Sequence, residues 1–243
     1  MTLLTEPTRI VLAKGQPVPN DPNFAFNSLL LHGDGTNGST VITDSSGSPK
    51  TVTAVGNAQI STAQSKFGGG SIFMDGGTIG ADDYLTTPIS SAYDFDGDFT
   101  LEAWIWKPAD GRTSVDTVFS TVSNGASQGL FWEISATAGM RLRINNAYRV
   151  TYNYNPNTSS WQHVAAVRAS GTIRLFLDGV TVATAAYADP IPSVGYLGNV
   201  YIGAISPASG YFFNGYIDDL RITKGIARYT ANFSVPTAPF PDF

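Results

Sequence analysis

Three glutamates, Glu6, Glu102 and Glu133, are the residues of this 243-residue chain with the most direct potential for glycoside hydrolysis. A retaining mechanism needs two carboxylates roughly 5 Å apart. The runs "LEAWI" and "WEISA" each hold one glutamate and no second acid, and Glu6 lies in a Pro-rich stretch. We therefore expect no catalytic pair of glutamates. An aspartate pair from separate loops stays open, because sequence spacing does not test it.

Nucleophilic catalysis has few candidate residues. The chain has no cysteine, which excludes disulfides and thiolate metal sites, and its only histidines are His32 and His163. In "WQHVAAV" His163 alternates with Trp161 and Ala165, a pattern typical of a ring packed between strands. We expect no catalytic triad, and the sequence predicts a protein that is not an enzyme.

One Asp-rich turn, "DFDGDFTLE", begins with the Asp-x-Asp-x-Asp spacing of an EF-hand calcium loop. Its sixth position is Phe99, where that loop requires glycine, and Glu102 follows at position nine instead of twelve. The turn is therefore interpreted as a solvated loop and not as an EF-hand.

Two clusters of aromatic residues could stack against a sugar ring, which needs an aromatic platform with polar groups beside it. The first, the predicted glycan-binding set, lies in a loop region and comprises Tyr187, Tyr196, Tyr211 and Phe212. The second lies within "YRVTYNYNPN" and comprises Tyr148, Tyr152 and Tyr154. Core packing and a subunit interface are the alternatives that remain open for both, because aromatic residues are enriched in each.

The elements that must position these side chains are short strands. About a dozen segments with apolar runs or alternation are each bounded by Gly, Asn, Asp, Pro or Ser, from "NSLLLHG" at residue 27 to "GYIDDLRIT" at residue 215. The Asp178–Gly179 pair predicts a two-residue hairpin. With 25 Gly, 14 Pro and 14% charged residues, the composition favours one all-β domain over helices.

Four of these segments, in order, carry a family resemblance: "FTLEAWIW", "WQHVAAVRASGTIRLFLDGVTVAT", "VYIGA" and "FFNGYIDDLRITKGIARYTANFSVPTAPF". Together they resemble the laminin-G-like jelly rolls of the concanavalin A-like lectin/glucanase superfamily over residues 27–240. The resemblance implies an all-β, two-sheet antiparallel jelly-roll sandwich with an extended N-terminal arm. That fold hosts lectins, hydrolases and scaffolds alike. "LEAWI" also lacks the closely spaced Glu-x-Asp-x-x-Glu run of the related glucanases.

The stretch "GYIDDLRITKGIARYT" near the end places charges among apolar residues. Strict alternation puts Asp218 with the apolar set, and Asp219 with Arg221 as a partly exposed pair. The resemblance implies that this motif is structural and that Arg228 and Tyr229 dock the segment after the last strand.

Calcium is the one cofactor that the resemblance suggests, since many laminin-G-like domains bind it at the rim of the sandwich. The contributing aspartates would be Asp75, Asp82, Asp83 and Asp218. Asp-rich turns without an ion are the alternative.

The chain is interpreted as an arm, a domain and a tail: residues 1–26, 27–233 and 234–243. The arm contains four prolines and one apolar run, so Ile10, Val11 and Leu12 are its expected contacts with a neighbouring subunit. A frayed terminus is the competing interpretation.

The start "LLLHGDGTNGSTVITDSSG" and the end "GIARYTANFSVPT" look like domains of phage virion proteins, such as tail fibres and capsid decorations. We expect a non-enzymatic virion structural protein with homo-oligomeric and other virion partners. The alternative is a glycan-binding adhesin that recognises a host surface polysaccharide. With net charge −5, no Lys/Arg run, no signal peptide and no long apolar stretch, nucleic acid and membrane are not expected partners. The predicted location is the virion, after synthesis in the host cytoplasm.

Overall fold

The structure, a computed structural model, describes residues 20–77, 82–122, 128–192, 198–207 and 211–243. Within these ranges the chain is built from strands and two short 3-10 helices, Phe24–Phe26 and Ser91–Tyr93. No described helix has the length and apolar character needed to cross a membrane. The strands form two antiparallel sheets, which confirms the predicted all-β sandwich.

Sheet I has eight strands in the order β13-β12-β11-β6-β15-β4-β3, and β1 pairs with β15 beside β4. Its strands are β1 (Asn27–Leu31), β3 (Gln59–Ser61), β4 (Ser71–Asp75), β6 (Phe99–Trp106), β11 (Trp161–Ala169), β12 (Thr172–Leu177), β13 (Val180–Ala186) and β15 (Asn214–Lys224).

Sheet II has seven strands in the order β10-β9-β8-β7-β14-β5-β2. Its strands are β2 (Thr53–Val55), β5 (Tyr84–Pro88), β7 (Val115–Ser120), β8 (Leu130–Ser135), β9 (Gly139–Ile144), β10 (Ala147–Tyr152) and β14 (Asn199–Ile202). The sequence prediction missed β2, β3 and β5, because these short strands carry little apolar alternation of their own and are held by pairing with neighbours.

The core lies between the two sheets and is formed by alternate residues of the central strands. On β6 the inward side chains are those of Phe99, Leu101, Ala103 and Ile105, and all are fully buried. On β8 the inward side chains are those of Leu130, Trp132 and Ile134. Period-two alternation therefore sends the remaining residues of these strands to the two outer faces of the sandwich.

The outer face of sheet I is covered by the chain's own C-terminal segment. Ala165, Val167 and Phe176 form a separate apolar cluster there, against which Tyr229 and Phe233 pack. The two packing rings stack on each other with centroids 3.5 Å apart. This face is therefore closed to a ligand over β11 and β12.

Strand β15 departs from the alternation that the sequence predicts. Asp219 adopts a left-handed φ of 49°, and the pairing with β6 shifts register between Asp218 and Arg221. Such a bulge turns consecutive side chains away from strict alternation. The predicted partly exposed pair of Asp219 and Arg221 is therefore wrong: both residues are buried, and each has a different partner.

Candidate functional site

A cluster of aromatic and charged side chains lies on the outer face of sheet II, and two of its tyrosine rings are exposed. Alternation along β8 points Phe131 and Glu133 outward, because Leu130, Trp132 and Ile134 face the core. On β9 the same rule points Arg141 and Arg143 outward, because Met140, Leu142 and Ile144 are core residues. Cross-strand register then sets Glu133 opposite Arg141 and Phe131 opposite Arg143.

A tight hairpin brings a third strand into this cluster. Asn145 and Asn146 have φ values of 47° and 63°, as a two-residue hairpin turn between β9 and β10 requires. The Arg143 guanidinium donates to the Asn146 side-chain oxygen in the turn. Tyr148, which pairs with Arg143, lies beneath the guanidinium of Arg141, whose Cζ is 4.1 Å from the ring centroid.

Tyr211 reaches the same face from the loop before β15. Its backbone oxygen accepts hydrogen bonds from Thr117 N at 3.3 Å and Thr117 Oγ1 at 2.8 Å. Its ring centroid is 6.1 Å from that of Phe131. Tyr148 is 50% exposed and Tyr211 is 40% exposed, so both rings present surface to solvent. We name the set Glu133, Arg141, Arg143, Tyr148 and Tyr211 the tyrosine surface.

The charges on the tyrosine surface are paired only in part. Arg141 forms an ion pair with Glu133, whose side chain is 1% exposed. Burial raises the pKa of Glu133, although the positive charge of Arg141 acts against that shift. Burial and the nearby Glu133 raise the pKa of the Tyr148 hydroxyl, which therefore stays protonated at neutral pH. The surface thus offers a hydroxyl donor and guanidinium donors beside two aromatic rings, while the buried Glu133 carboxylate holds Arg141 in place.

A cleft lies beyond the β8–β9 turn. It has a volume of about 310 Å³, and Arg112, Thr137, Asn155 and Asn157 are among its lining residues. The Asn157 side-chain oxygen is buried and has no hydrogen-bond partner among the described residues. Thr137 of the turn lines this cleft, so the cleft lies at the end of the two strands that carry Glu133 and Arg141.

The aromatic residues predicted to bind glycan lie in different environments. Tyr187 is 7% exposed within the main core, and Arg149 covers its ring with Cζ 4.8 Å from the centroid. Phe212 is 3% exposed and packs with Tyr84 and Tyr201. Such burial leaves neither side chain much surface for stacking on a sugar.

The other residues predicted to bind glycan or a neighbouring subunit are either outside the described ranges or packed against the core. Tyr196 lies outside the described residues, as do Ile10, Val11 and Leu12 of the predicted arm. Tyr152 and Tyr154 stack on each other, with centroids 5.5 Å apart, and pack against the core. The structure therefore combines one exposed tyrosine from each predicted cluster, Tyr148 and Tyr211, which are 63 positions apart in the sequence.

The charged residues of "GYIDDLRITKGIARYT" belong to buried hydrogen-bond networks beneath the terminal segments. Arg221 Nε donates to Glu102 Oε1 at 2.9 Å, and Nη2 lies 2.8 Å from the same oxygen in an ion pair. Tyr229 donates to Glu102 Oε2 at 2.8 Å, and Arg228 donates twice to Asp21, at 3.0 and 2.7 Å. We name these five residues the Glu102 network.

Burial would raise the pKa of Glu102, but the charge of Arg221 and the nearby His163 outweigh it and lower that pKa to about 2. Glu102 is therefore ionised at neutral pH, although it is fully buried. The sequence interpretation overlooked Asp21 and the structural role of Glu102. The available signal was a lone carboxylate on an apolar central strand, which requires a cation opposite it.

The two adjacent aspartates of β15 hold other parts of the chain. Asp218 Oδ2 accepts hydrogen bonds from the backbone N–H groups of Lys66 and Phe67, at 2.7 and 3.1 Å. Asp219 contacts His32 Nδ1 at 2.5 Å and accepts from Phe240 N at 2.8 Å. Each carboxylate therefore connects the last strand to a loop or to the C-terminal segment.

The aspartates expected to bind calcium are mostly occupied by backbone donors. Asp83 accepts from Asn57 N at 2.6 Å and from Asp75 N at 3.0 Å, while Asp75 accepts from Gly77 N at 3.2 Å. Asp218 has the two donors given above. Within the described ranges, no three His, Asp or Glu side chains are grouped as metal ligands. These residues fit a calcium ion poorly as a set, and calcium binding stays a prediction.

The two glutamates considered for hydrolysis lie on opposite outer faces. Glu102 is on sheet I and Glu133 is on sheet II. Packed sheets are about 10 Å apart, so two outward carboxylates exceed the roughly 9.5 Å limit of an inverting pair. The run Gly125–Gly129 has the Gly-x-Ser-x-Gly spacing, but it joins antiparallel strands β7 and β8, and its Ser127 lies outside the described residues. A nucleophile elbow requires a strand-to-helix turn.

Solved structures with a similar fold include the binding domain of botulinum neurotoxin serotype C1, at 12% identity and a TM-score of 0.59. Two others contain the binding domain of botulinum neurotoxin DC, in complex with SialylT (13% identity, TM-score 0.56) and with rat synaptotagmin II (13% identity, TM-score 0.59). Each comparison covers 90% of this chain and 50% of the other, so the chain spans about half their length. Such low identity shows the fold alone. No curated protein matches the sequence.

A family model described as the concanavalin A-like lectin/glucanases superfamily matches residues 78–227, which is more than half of the chain. The matched range includes all five residues of the tyrosine surface, together with Glu102 and Arg221. This chain belongs to the laminin-G-like domains of the concanavalin A-like lectin/glucanase superfamily.

Proposed function

We propose that this protein is a non-enzymatic carbohydrate-binding module and that the tyrosine surface is its glycan site. The observation that carries the proposal is the exposure of two tyrosine rings around an arginine–carboxylate pair on one outer face. A sugar ring has an apolar face that packs on an aromatic ring, and hydroxyls that bond to charged groups. The superfamily and the binding domains of similar fold support the same choice.

The contrast between the two outer faces supports this placement. The C-terminal segment covers the outer face of sheet I over β11 and β12, and the neighbouring Glu102 is fully buried. Over β8, β9 and β10 of sheet II the exposed residues include Tyr148 and Thr151, and the arginines of these strands are partly exposed. A polysaccharide that crossed this face would meet Tyr148 and Tyr211 together with the partly exposed Arg141 and Arg143. The cleft lined by Asn157 lies at the β8–β9 turn.

The test is binding to a glycan array by the wild-type chain and by Tyr148→Ala and Tyr211→Ala. We expect each substitution to weaken binding roughly tenfold or more, because each removes one stacking ring from a partly dehydrated site. Both residues are about half exposed, so the melting temperature should change little.

Phe243→Ala is the matched control, since this residue is similarly exposed and its backbone oxygen accepts a hydrogen bond from Asp21 N, on the sheet I side. This variant should bind like the wild type. The proposal fails if the wild type binds no glycan on the array, or if the two tyrosine variants and the control bind equally well.

We further propose assembly on a virion as a second candidate, which the binding function does not exclude. The support for this candidate is that the chain is held firmly to the domain at Asp21, close to the first described residue. Asp21 accepts hydrogen bonds from Arg228 and Arg221, so a force applied through the N-terminal residues would act on the buried Glu102 network. The motifs at both ends of the chain, quoted above, suggest a phage origin.

Light scattering on the full chain and on a shortened chain beginning at Asn20 tests the assembly role. We expect an oligomer that becomes a monomer when residues 1–19 are removed, because the apolar run Ile10–Leu12 would supply the contact. Starting at Asn20 keeps Asp21, so the folded domain should stay intact. Equal masses for the two chains would contradict the proposal.

A further inference from the structure

A second pocket lies at the end of the sandwich where β15 finishes. It has a volume of about 560 Å³ and is lined by parts of four segments, residues 25–28, 48–50, 90–92 and 224–225. This volume is in the range of small-molecule sites, which is roughly 300–1,000 Å³. Lys224 pairs with Phe99 at the start of β6, so the pocket is on sheet I and does not overlap the tyrosine surface.

The charge of this pocket is opposite to that of the protein. Its described lining includes Lys50 and Lys224 and no acidic residue, although the chain carries a net charge of −5. Lys50 Nζ donates to Ser48 O at 2.9 Å, and Lys224 Nζ donates to Ser91 O at 2.6 Å. An ammonium group has three donors, so each lysine keeps donors for a ligand after making its backbone bond.

The nearest carboxylate to Lys50 is already occupied by backbone groups. Asp44 accepts hydrogen bonds from the N–H groups of Leu30, Ser46 and Lys50, at 3.1, 2.9 and 2.7 Å. Its charge therefore stabilises the loop around residues 44–50 and forms no direct ion pair with the Lys50 ammonium.

The pocket also has an exposed aromatic ring. Phe26, the last residue of the first 3-10 helix, is 47% exposed and lines the pocket. Serines from three separate segments, among them Ser48 and Ser91, lie in the same lining. Two cations, hydroxyl groups and one aromatic face match a ligand that has a negative charge, hydroxyls and an apolar ring face.

We propose that this pocket is a second binding site, distinct from the tyrosine surface, for a sugar residue that carries a carboxylate. The lysines bind the carboxylate and Phe26 packs against the face of the sugar ring. The inference stands on the pocket alone and does not require the tyrosine surface to bind glycan.

The test is a titration of the full chain, followed by amide NMR shifts, with D-glucuronate, D-glucose, acetate and inorganic phosphate. We expect glucuronate to shift the amides of Ser91 and Gly225, and the other three compounds to bind at least tenfold more weakly. Glucose lacks the carboxylate, whereas acetate and phosphate lack the sugar ring. Equal binding of glucose, or of acetate or phosphate, would overturn the proposal, as would the absence of any shift with glucuronate.

Variants distinguish what the two lysines and the Phe26 ring each contribute to glucuronate binding. Lys50→Gln and Lys224→Gln should each weaken glucuronate binding about tenfold, whereas Lys66→Gln, which removes the same charge elsewhere, should bind like the wild type. Phe26→Ala should weaken binding of glucuronate and leave that of acetate unchanged. The proposal fails if Lys66→Gln has the same effect as the two pocket variants, or if Tyr148→Ala abolishes the shifts at Ser91 and Gly225.

Discussion

Replacing Arg221 by leucine is expected to lower the free energy of unfolding by about 3–5 kcal/mol, as for other buried ion pairs that lose one partner. Arg221 makes one hydrogen bond and one further ion-pair contact with Glu102 and one hydrogen bond to Asp21 at 3.3 Å. Its Cζ also stacks 3.6 Å from the centroid of the Phe240 ring. The variant leaves Glu102 fully buried without its main cation. Because single domains are stable by only about 5–15 kcal/mol, urea denaturation should show a large shift.

Arg174→Leu is the matched control for this prediction. Arg174 lies on sheet I and donates only to Thr172 O on its own strand, at 3.4 Å, among the bonds described. Its loss should change stability by no more than about 0.5 kcal/mol. The double variant Glu102→Leu with Arg221→Leu should lose less than the sum of the two single variants, since no unpaired charge remains. Additive losses would show that the pair is not coupled.

The sequence was sufficient to predict the fold, because apolar alternation and turn residues are local signals. "FTLEAWIW" alternates as a central strand should, and Asp178–Gly179 forms the predicted hairpin, with φ values of 47° and 77°. The short strands β2 and β3 were missed, since three residues cannot display a period. The bulge at Asp219 was also missed, because a rule of strict alternation does not include a left-handed residue.

The candidate site was predictable only in part, because its residues come from distant segments. Tyr148 and Tyr211 were each recognised as aromatic loop or strand residues, but in separate clusters. Their proximity depends on the β9–β10 hairpin and on the loop that Thr117 holds over β7. Glu133 and Arg141 meet through cross-strand register, which the amino-acid pattern of either strand does not specify. The buried position of Tyr187 likewise follows from tertiary packing.

Gly139→Ala should destabilise the domain by about 3 kcal/mol and weaken glycan binding by the folded protein as well. Gly139 begins β9 with a φ of 71°, and an added Cβ would overlap the Tyr152 carbonyl oxygen and lie 2.7 Å from Cα of Asn153. A left-handed alanine costs about 1–2 kcal/mol, and overpacking costs about 1–3 kcal/mol more. Relief of the overlap must move β9 and β10 apart, and these strands carry Arg141 and Tyr148.

Gly198→Ala is the control that has the left-handed backbone conformation of Gly139→Ala without its steric clash. Gly198 has a similar φ of 77°, but no atom of the described residues lies within 4 Å of an added Cβ, so its substitution should cost only about 1–2 kcal/mol. Urea denaturation measures both losses, and glycan affinity is compared at a temperature where both variants are fully folded. We expect roughly tenfold weaker binding by Gly139→Ala and none of this loss by Gly198→Ala. Equal glycan affinities of Gly139→Ala and Gly198→Ala would mean that the spacing of β9 and β10 does not affect glycan binding. That result would contradict the proposal that the tyrosine surface is the glycan site.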